Sequence, residues 1–438
     1  MKKGFTLIEL LAVIVILAII SLIATPIILT VINNVKEESN KRSIDNIIHA
    51  AKIYQAQQEL NDSSVTKITV DKIKDMINGE VPDNGIIYMN ENGEISFSIE
   101  FNDKIYTKYY GSEIKKENNL YYIKKAPTTN GETELFLGGP ITKESIEKII
   151  TVPTNQVPSD ADGYWDVTDT TNQEETGKVM AWYYDKDNNG LYEVYIGQNG
   201  GVRANPDSTK LFSYLTNAIE IDLTHFDTSD VETMFCMFSN SISLKSIDVS
   251  NFVTSKVTDM TKLFGINSIT EKSYQMALEE IIGLENFDTS KVKTMRAMFQ
   301  NCINLIEIDL SSFDTSEVEN MSFMFSSSAN NSLGIYPSDM SLERIIGIEN
   351  FKTNKVTNMC AMFQLCSSLT ILDLSTWDTN KVTDMSYMFN YTTNLKPIYI
   401  GEKWKTASIV NSMFNRSATT SENELCSPTS THSYCVVN

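Results

Sequence analysis

The chain has 438 residues, with 36 Lys and Arg against 56 Asp and Glu, three His and six Cys, for a formal net charge of −20. A chain of that length holds two or three domains. The charge is uneven: residues 1–125 carry 15 basic and 16 acidic side chains, leaving 21 against 40 beyond, and so acidic a distal surface repels phosphate backbones, which argues against nucleic acid as a partner.

Residues 1–32, MKKGFTLIELLAVIVILAIISLIATPIILTVI, begin with two lysines and a glycine and continue from Phe5 as an apolar run whose only charge is Glu9. At about 1.5 Å per helical residue the run is long enough to cross a ~30 Å hydrocarbon core, and the leading lysines favour a cytoplasmic N-terminus. A plain signal anchor is one reading. Against a removed secretory signal stand the short MKK n-region, the lack of a small-residue cleavage pattern, and Glu9 five residues after Gly4. An acid at a bilayer centre costs ~2.5–3.5 kcal/mol and usually has a partner.

The run Gly4-Phe5-Thr6-Leu7-Ile8-Glu9 resembles the class III leader of type IV prepilins and pseudopilins. The resemblance implies cleavage after Gly4 by a prepilin peptidase, N-methylation of Phe5 and assembly with other pilin subunits. Glu9 would pair with the N-terminal amine of a neighbour, giving the buried acid its counter-charge. Pro26 falls where pilins carry a helix-kinking proline, whose missing N–H frees a carbonyl.

After the membrane run, residues 33–60 keep helical spacing, with Ile44, Ile47, Ile48, Ala51 and Tyr54 on one face and charge opposite. Residues 5–60 are therefore expected as one transmembrane and spine helix. Residues 61–125 change period: VTKITVDKIKDMING predicts a strand and a short helix, and Asn92-Gly93 between alternating apolar residues predicts a hairpin. A long helix followed by a small antiparallel sheet resembles the head of a pilin or pseudopilin from a Gram-positive bacterium. Residues 126–162 are rich in Thr, Asn, Gly and Pro and read as a linker, with a short helix expected over Thr142 to Ile150.

The remainder is organised by an internal repeat. A block M-x-x-[ML]-F recurs at Met234/Met237/Phe238, Met260/Leu263/Phe264, Met295/Met298/Phe299, Met321/Met324/Phe325, Met359/Met362/Phe363 and Met385/Met388/Phe389, with a degraded copy ending Met413-Phe414. Successive phenylalanines are 26, 35, 26, 38, 26 and 25 residues apart, a period that marks stacked supersecondary units. Between blocks runs L-x-x-[IL]-x-[LV]-x-x-[FW], as in Leu305-Ile308-Leu310-Phe313 and Leu369-Leu372-Leu374-Trp377, followed by a turn such as Asp-Thr-Ser. The alternation predicts a short strand, and Val292, Met295, Met298 and Phe299 at helical spacing predict a short helix. A unit of strand, turn and short helix cannot bury its apolar face alone, so the copies are expected to stack into a solenoid. The two long intervals put Gly283 and Gly347 at the third strand position and insert GINSITEKSYQMA and SSSANNSLGIYPSDM as loops. The pattern resembles the BspA-like leucine-rich-repeat surface proteins, known also as DUF285, in copies such as SSFDTSEVENMSFMF and STWDTNKVTDMSYMF.

Residues 163–207, with three aromatic strands joined by Asn-Asn-Gly and Asn-Gly-Gly turns, are expected as a β cap in which Trp165, Trp182 and Tyr195 cover the first repeat; the repeats occupy 208–416 and a polar tail 417–438. Asp185-Lys186-Asp187-Asn188-Asn189-Gly190 opens like a calcium loop, but the twelfth position is Ile196 where an acid is required, and a hairpin turn is the simpler reading. The methionine and phenylalanine stripe reads as core rather than a cofactor or soft-metal surface. His49, His225 and His432 lie in different segments, and no G-x-S-x-G or Walker sequence occurs, so neither an enzyme nor a cofactor or metal is expected. Cys236, Cys302, Cys360 and Cys366 sit in the repeats, whereas Cys426 and Cys435 enclose SPTSTHSY in the tail. For an exported chain a disulfide between those two is the expectation. Pilins close their C-terminal region with such a bridge, but here it is a domain away from the head.

The expected architecture is therefore α+β: a long N-terminal pilin helix with a small antiparallel sheet head, then a leucine-rich-repeat-like solenoid. Three functions fit it: a minor or tip type IV pilin presenting an adhesion module, a pseudopilin of a secretion or DNA-uptake machine, and a surface protein merely anchored by its helix. No LPxTG-like sorting sequence is visible, so the N-terminal helix is the expected attachment, first to the membrane and then to a filament or cell surface. The expected contact is with a surface protein or glycan through the outward positions Ser246, Asp248, Glu307, Asp309, Thr370 and Asp373 together with the two inserted loops.

Overall fold

The structure is a computed structural model that describes residues 35–36, 38–60, 67–90, 92–101, 104–117, 121–127, 131, 133–171, 175–266, 275–327, 339–421 and 424–427. It divides into two compact units, Met1–Asn119 and Leu120–Asn438.

In the first unit residues 35–36 and 38–59 are helical, forming α1. Its apolar stripe, Ile44, Ile47, Ala50 and Ala51, is buried, and Ile48 and Tyr54 pack at its margin. The stripe lies on an antiparallel sheet of β1 (Lys67–Thr69), β2 (Asn84–Met89), β3 (Ile95–Phe101), β4 (Lys104–Lys108) and β5 (Lys115–Glu117), which pair in that order. The short helix α2 (Val70–Ile73) follows β1 directly. Gly93, at φ 75°, turns β2 into β3, the left-handed residue that a tight hairpin of right-twisted strands requires. Residues 5–32, where the long helix would cross the membrane, lie outside the described residues. Among the described residues no helix is long and apolar enough to span a membrane.

The second unit begins with a five-stranded sheet, in the order β11 (Glu220–Asp222), β6 (Ile146–Val152), β9 (Tyr192–Gln198), β8 (Val179–Tyr184) and β7 (Gly163–Asp166). This corrects two expectations. Ile146–Val152 is a strand between β11 and β9, not a helix in a linker, because Ile146 and Ile149 belong to the core together with Phe136, Leu137 and Ile141. Of the three aromatic residues expected to cover the first repeat, only Trp165 packs on that core. Trp182 and Tyr195 are cross-strand partners, stacked at 5.8 Å between ring centroids and absent from the core cluster. Strand alternation puts Trp182 on the opposite face from Val179 and Ala181. Short β10 (Val202–Arg203) runs parallel to β12 (Phe226–Asp227). Arg203 is buried between Asp227 and Asp230, 2.8 Å from the latter, and Lys256 also lies 2.8 Å from Asp230.

Among the described residues the repeats follow as eight coils linked by parallel bridges through Asp207, Thr233, Asp259, Thr294, Asn320, Asn358, Asp384 and Ile409. The M-x-x-[ML]-F blocks are turns, not the short helices expected, and the correction applies equally to the blocks that end in Phe238, Phe264, Phe299, Phe325, Phe363 and Phe389. The third residue of each block is left-handed: Cys236 at φ 57°, Lys262 at 54°, Ala297 at 56°, Phe323 at 62°, Ala361 at 54° and Tyr387 at 59°. The cause is hydrogen bonding between coils. The N–H groups of Met234, Cys236 and Phe238 donate to the carbonyls of Asp259, Thr261 and Leu263, each at 2.9 Å. The pattern recurs along the stack: the N–H groups of Phe264, Phe363 and Phe389 donate to the carbonyls of Met298, Met388 and Met413, each at 3.0 Å. An α-helix would consume those donors internally. The geometry also reveals a copy that the motif does not show: Phe212, with Ser208 in place of the methionine, heads the column.

Phe212, Phe238, Phe264, Phe299, Phe325, Phe363, Phe389 and Phe414 form one continuous ring stack with centroids 5.6–5.9 Å apart. Met234, Met260, Met295, Met321, Met359 and Met385 are fully buried beside it. A buried threonine in each Asp-Thr turn donates to the next coil, as Thr289 does to Asp314 O at 3.1 Å and Thr315 to Lys352 O at 3.2 Å.

Among the described residues the repeat strands do not join into one sheet. They pair two by two: β13 (Ser246–Asp248) with β14 (Glu280–Ile282), β15 (Glu307–Asp309) with β16 (Arg344–Ile346), and β17 (Leu372–Leu374) with β18 (Ile398–Ile400). The second strand of every pair precedes a glycine: Gly283, Gly347 or Gly401. Each adds one residue between strand and aromatic rather than replacing one. A Cβ on Gly283 would lie 2.2 Å from the Ser250 backbone, on Gly347 2.5 Å from Ser311, and on Gly401 1.9 Å from Ser375 O. The glycine lets its coil close against the coil before it. The tail is not outside the stack: Leu425 and Cys426 are buried, and Cys426 exchanges backbone hydrogen bonds of 2.8 Å with Ile398 and Ile400.

Candidate functional site

A concavity lies where two strand pairs do not pair with each other. A groove of about 1050 Å³ runs between β14 and β15 and is floored by Ile281, Leu284, Leu305 and Ile308. Glu279, Glu280, Glu285, Glu307, Asp309 and Glu343 line it. Among the described residues two cations answer them: Lys245 Nζ at 3.3 Å from Glu279 and Arg344 Nη1 at 3.2 Å from Glu307. The Ser311 hydroxyl and N–H, at 2.6 and 2.9 Å, hold the Asp309 carboxyl below its ordinary range. Beside the groove the Asn304 side-chain amide donates to Ala277 O and the Ser312 hydroxyl to Leu284 O, each at 3.4 Å.

The outward positions read from the repeat are all exposed: Ser246, Asp248, Glu307, Asp309, Thr370 and Asp373. Only Glu307 and Asp309 line the groove. None of the repeat-core residues does: Phe264, Phe363 and Phe389 are fully buried, as are Phe238 and Phe325, and they hold the coils together without reaching the groove. Sequence reasoning missed Glu279, Glu280, Glu285 and Glu343; the first three flank the extra glycine of LEEIIGLENF. Residues 267–274 and 328–338, most of the two inserted loops, lie outside the described residues, as do Gly4, Phe5, Glu9 and Pro26.

Cys236, Cys302, Cys360 and Cys366 are free thiols. Burial pushes Cys236 up to about 12 and, with Asp384 nearby, Cys360 up to about 11, and it raises Cys302 and Cys366 further. These are structural thiols; Cys366, for example, donates to Phe325 O at 3.2 Å. Cys426 is disulfide-bonded, and its expected partner Cys435 lies outside the described residues. Asp185 accepts the N–H groups of Asn189 and Gly190 in the turn between β8 and β9, so both its oxygens serve the hairpin. Among the described residues no group of three or more His, Cys, Asp or Glu is arranged to hold a metal ion. What the groove offers chemically is a floor of apolar side chains, a wall of carboxylates and, among the described residues, two strand edges that do not pair with each other.

Comparison with known proteins matches two parts of the chain. Residues 207–281, 268–336 and 338–426 match the family described as Mycoplasma protein of unknown function, DUF285. Residues 1–25 match the prokaryotic N-terminal methylation motif. No curated protein and no solved structure gives a significant match. The three family matches together span half of the chain and coincide with the stacked coils, so the chain belongs to the DUF285 family and carries ahead of it the methylation motif of type IV pilin-like proteins.

Proposed function

We propose that the chain is a minor or tip subunit of a type IV pilus-like filament that displays its repeats at the cell surface as a non-catalytic adhesion module. The observation that carries this reading is the union in one chain of a methylation motif at 1–25 and DUF285 repeats over 207–426. The motif implies processing by prepilin peptidase and assembly with pilin subunits, in which Glu9 meets a neighbour's terminal amine. The bulk of the second unit supports sparse or terminal placement, since a head several times larger than the pilin core would crowd a filament wall. We read the stacked coils as a leucine-rich-repeat-like solenoid, an architecture whose extended surface commonly receives partners. The partner is a surface protein or glycan held by polar contacts that weaken with salt.

A pseudopilin of a secretion or DNA-uptake machine is the second reading, favoured by the same motif at 1–25. Immunoblots of sheared filaments, with adherence assays on cells lacking residues 207–426, separate the two. The pilin reading expects the chain in the sheared fraction, a loss on Glu9→Ala, and reduced adherence by the deletion. Absence from filaments, with unchanged adherence, refutes it.

A further inference from the structure

The groove between β14 and β15 is bounded by two strand edges that face each other without pairing. Among the described residues β14 pairs only with β13, and β15 only with β16. Paired strands lie about 4.8 Å apart, and an open edge is a template for another extended chain. Both edges alternate outward and inward positions: Glu280 and Ile282 on β14 and Glu307 and Asp309 on β15 are exposed, whereas Ile281 and Ile308 face inward beside Leu284 and Leu305. A strand between them would place alternate side chains over that apolar floor and the others among the carboxylates. Uncharged outer side chains would leave the acids uncompensated, because Arg344 and Lys245 already serve Glu307 and Glu279.

We infer that this groove binds a short extended peptide segment of a protein partner, alternating apolar with lysine or arginine residues, by strand addition between β14 and β15. The inference deepens the reading of the repeats as a surface binding module and rests on it. Main-chain hydrogen bonds supply the attachment and the alternating side chains supply the selectivity. A glycan offers neither the strand backbone nor the cationic row.

The test uses the full chain in detergent micelles and fluorescence anisotropy. The probe is a labelled octapeptide of alternating valine and lysine. Two further peptides serve as comparisons, one with glutamate for lysine and one with alternate backbone nitrogens methylated. The parent peptide binds saturably; the glutamate peptide does not bind; backbone methylation and the double substitution Glu280→Lys with Glu343→Lys each weaken binding about tenfold or more. Failure of the parent peptide to bind overturns the inference. So does equal binding of the methylated peptide, which would mean adsorption to a charged surface, or equal binding by the double variant with an unchanged circular dichroism spectrum. Filament incorporation does not enter this assay, so its failure leaves the display reading standing, and failure of display is read separately in sheared filaments.

Discussion

Substituting Gly347 tests what holds the coils in pairs. Gly347 sits at φ 83°, and a Cβ there would lie 2.5 Å from both N and Cα of Ser311 in the preceding coil. An L-residue in the left-handed region costs about 1–2 kcal/mol. The clash is with backbone, so β16 must move away from β15 and strain the Leu310 N–H to Ile346 O bond of 2.9 Å; leaving a buried donor unsatisfied costs about 1–3 kcal/mol. Gly347→Ala is therefore expected to destabilise the second unit by about 3–4 kcal/mol. Gly190 provides the control: its φ is 78°, but a Cβ there meets nothing within 4 Å, so Gly190→Ala is expected to cost only the conformational part, about 1–2 kcal/mol. Urea unfolding followed by tryptophan fluorescence reads both, because Trp377 stacks on Phe351 at 6.3 Å and donates its indole N–H to Ile348 O at 3.0 Å. Hydrogen exchange at Leu310 should accelerate in the first variant alone. Costs equal to within about 0.5 kcal/mol, with unchanged exchange at Leu310, would refute the close approach as the cause of pairing.

The mature chain is expected to start at a methylated Phe5, and N-terminal mass spectrometry finding Met1, or a start beyond residue 20, counts against that. Peptide mapping without reductant is expected to recover Cys426 joined to Cys435, with the bridge contributing ~3 kcal/mol or less for so short a loop; free thiols at both positions end the idea. Burial would raise the Asp230 carboxyl, but Arg203 and Lys256 outweigh it and hold it below the ordinary range. A depressed acid stabilises above its unfolded pKa and loses that stabilisation as pH falls through the folded value, so this contribution should fade below about pH 4. Asp230→Asn should cost about 3 kcal/mol at pH 7, by leaving buried Arg203 only the more distant Asp227, and the gap from wild type should narrow in acid. A pH-independent gap in urea titrations would contradict the pairing.

The period of the repeat, the identity of its buried residues and the hairpin at Asn92-Gly93 were legible because each depends on local chemistry: burial of Met and Phe at a fixed interval, and the left-handed freedom of one glycine. The groove was only half legible. Glu307 and Asp309 declared themselves as outward residues of an alternating strand, but their neighbours Glu280 and Glu343 come from coils whose distance from β15 no local pattern reports.

Composition and spacing by themselves determined that the apolar run is N-terminal, that acidity lies distally, and that the second half consists of units too small to stand alone. Tertiary structure alone decided the backbone of those units. Met295, Met298 and Phe299 have helical spacing, and nothing local to Ala297 requires a positive φ. The left-handed turn is chosen because the N–H groups of Met295, Ala297 and Phe299 find carbonyls on the next coil, an alternative to helix that exists only once the coils are stacked. The strand at Ile146–Val152 arises in the same way. Its segment reads as linker in isolation and becomes a strand because β9 and β11, far along the chain, supply the partners for its backbone.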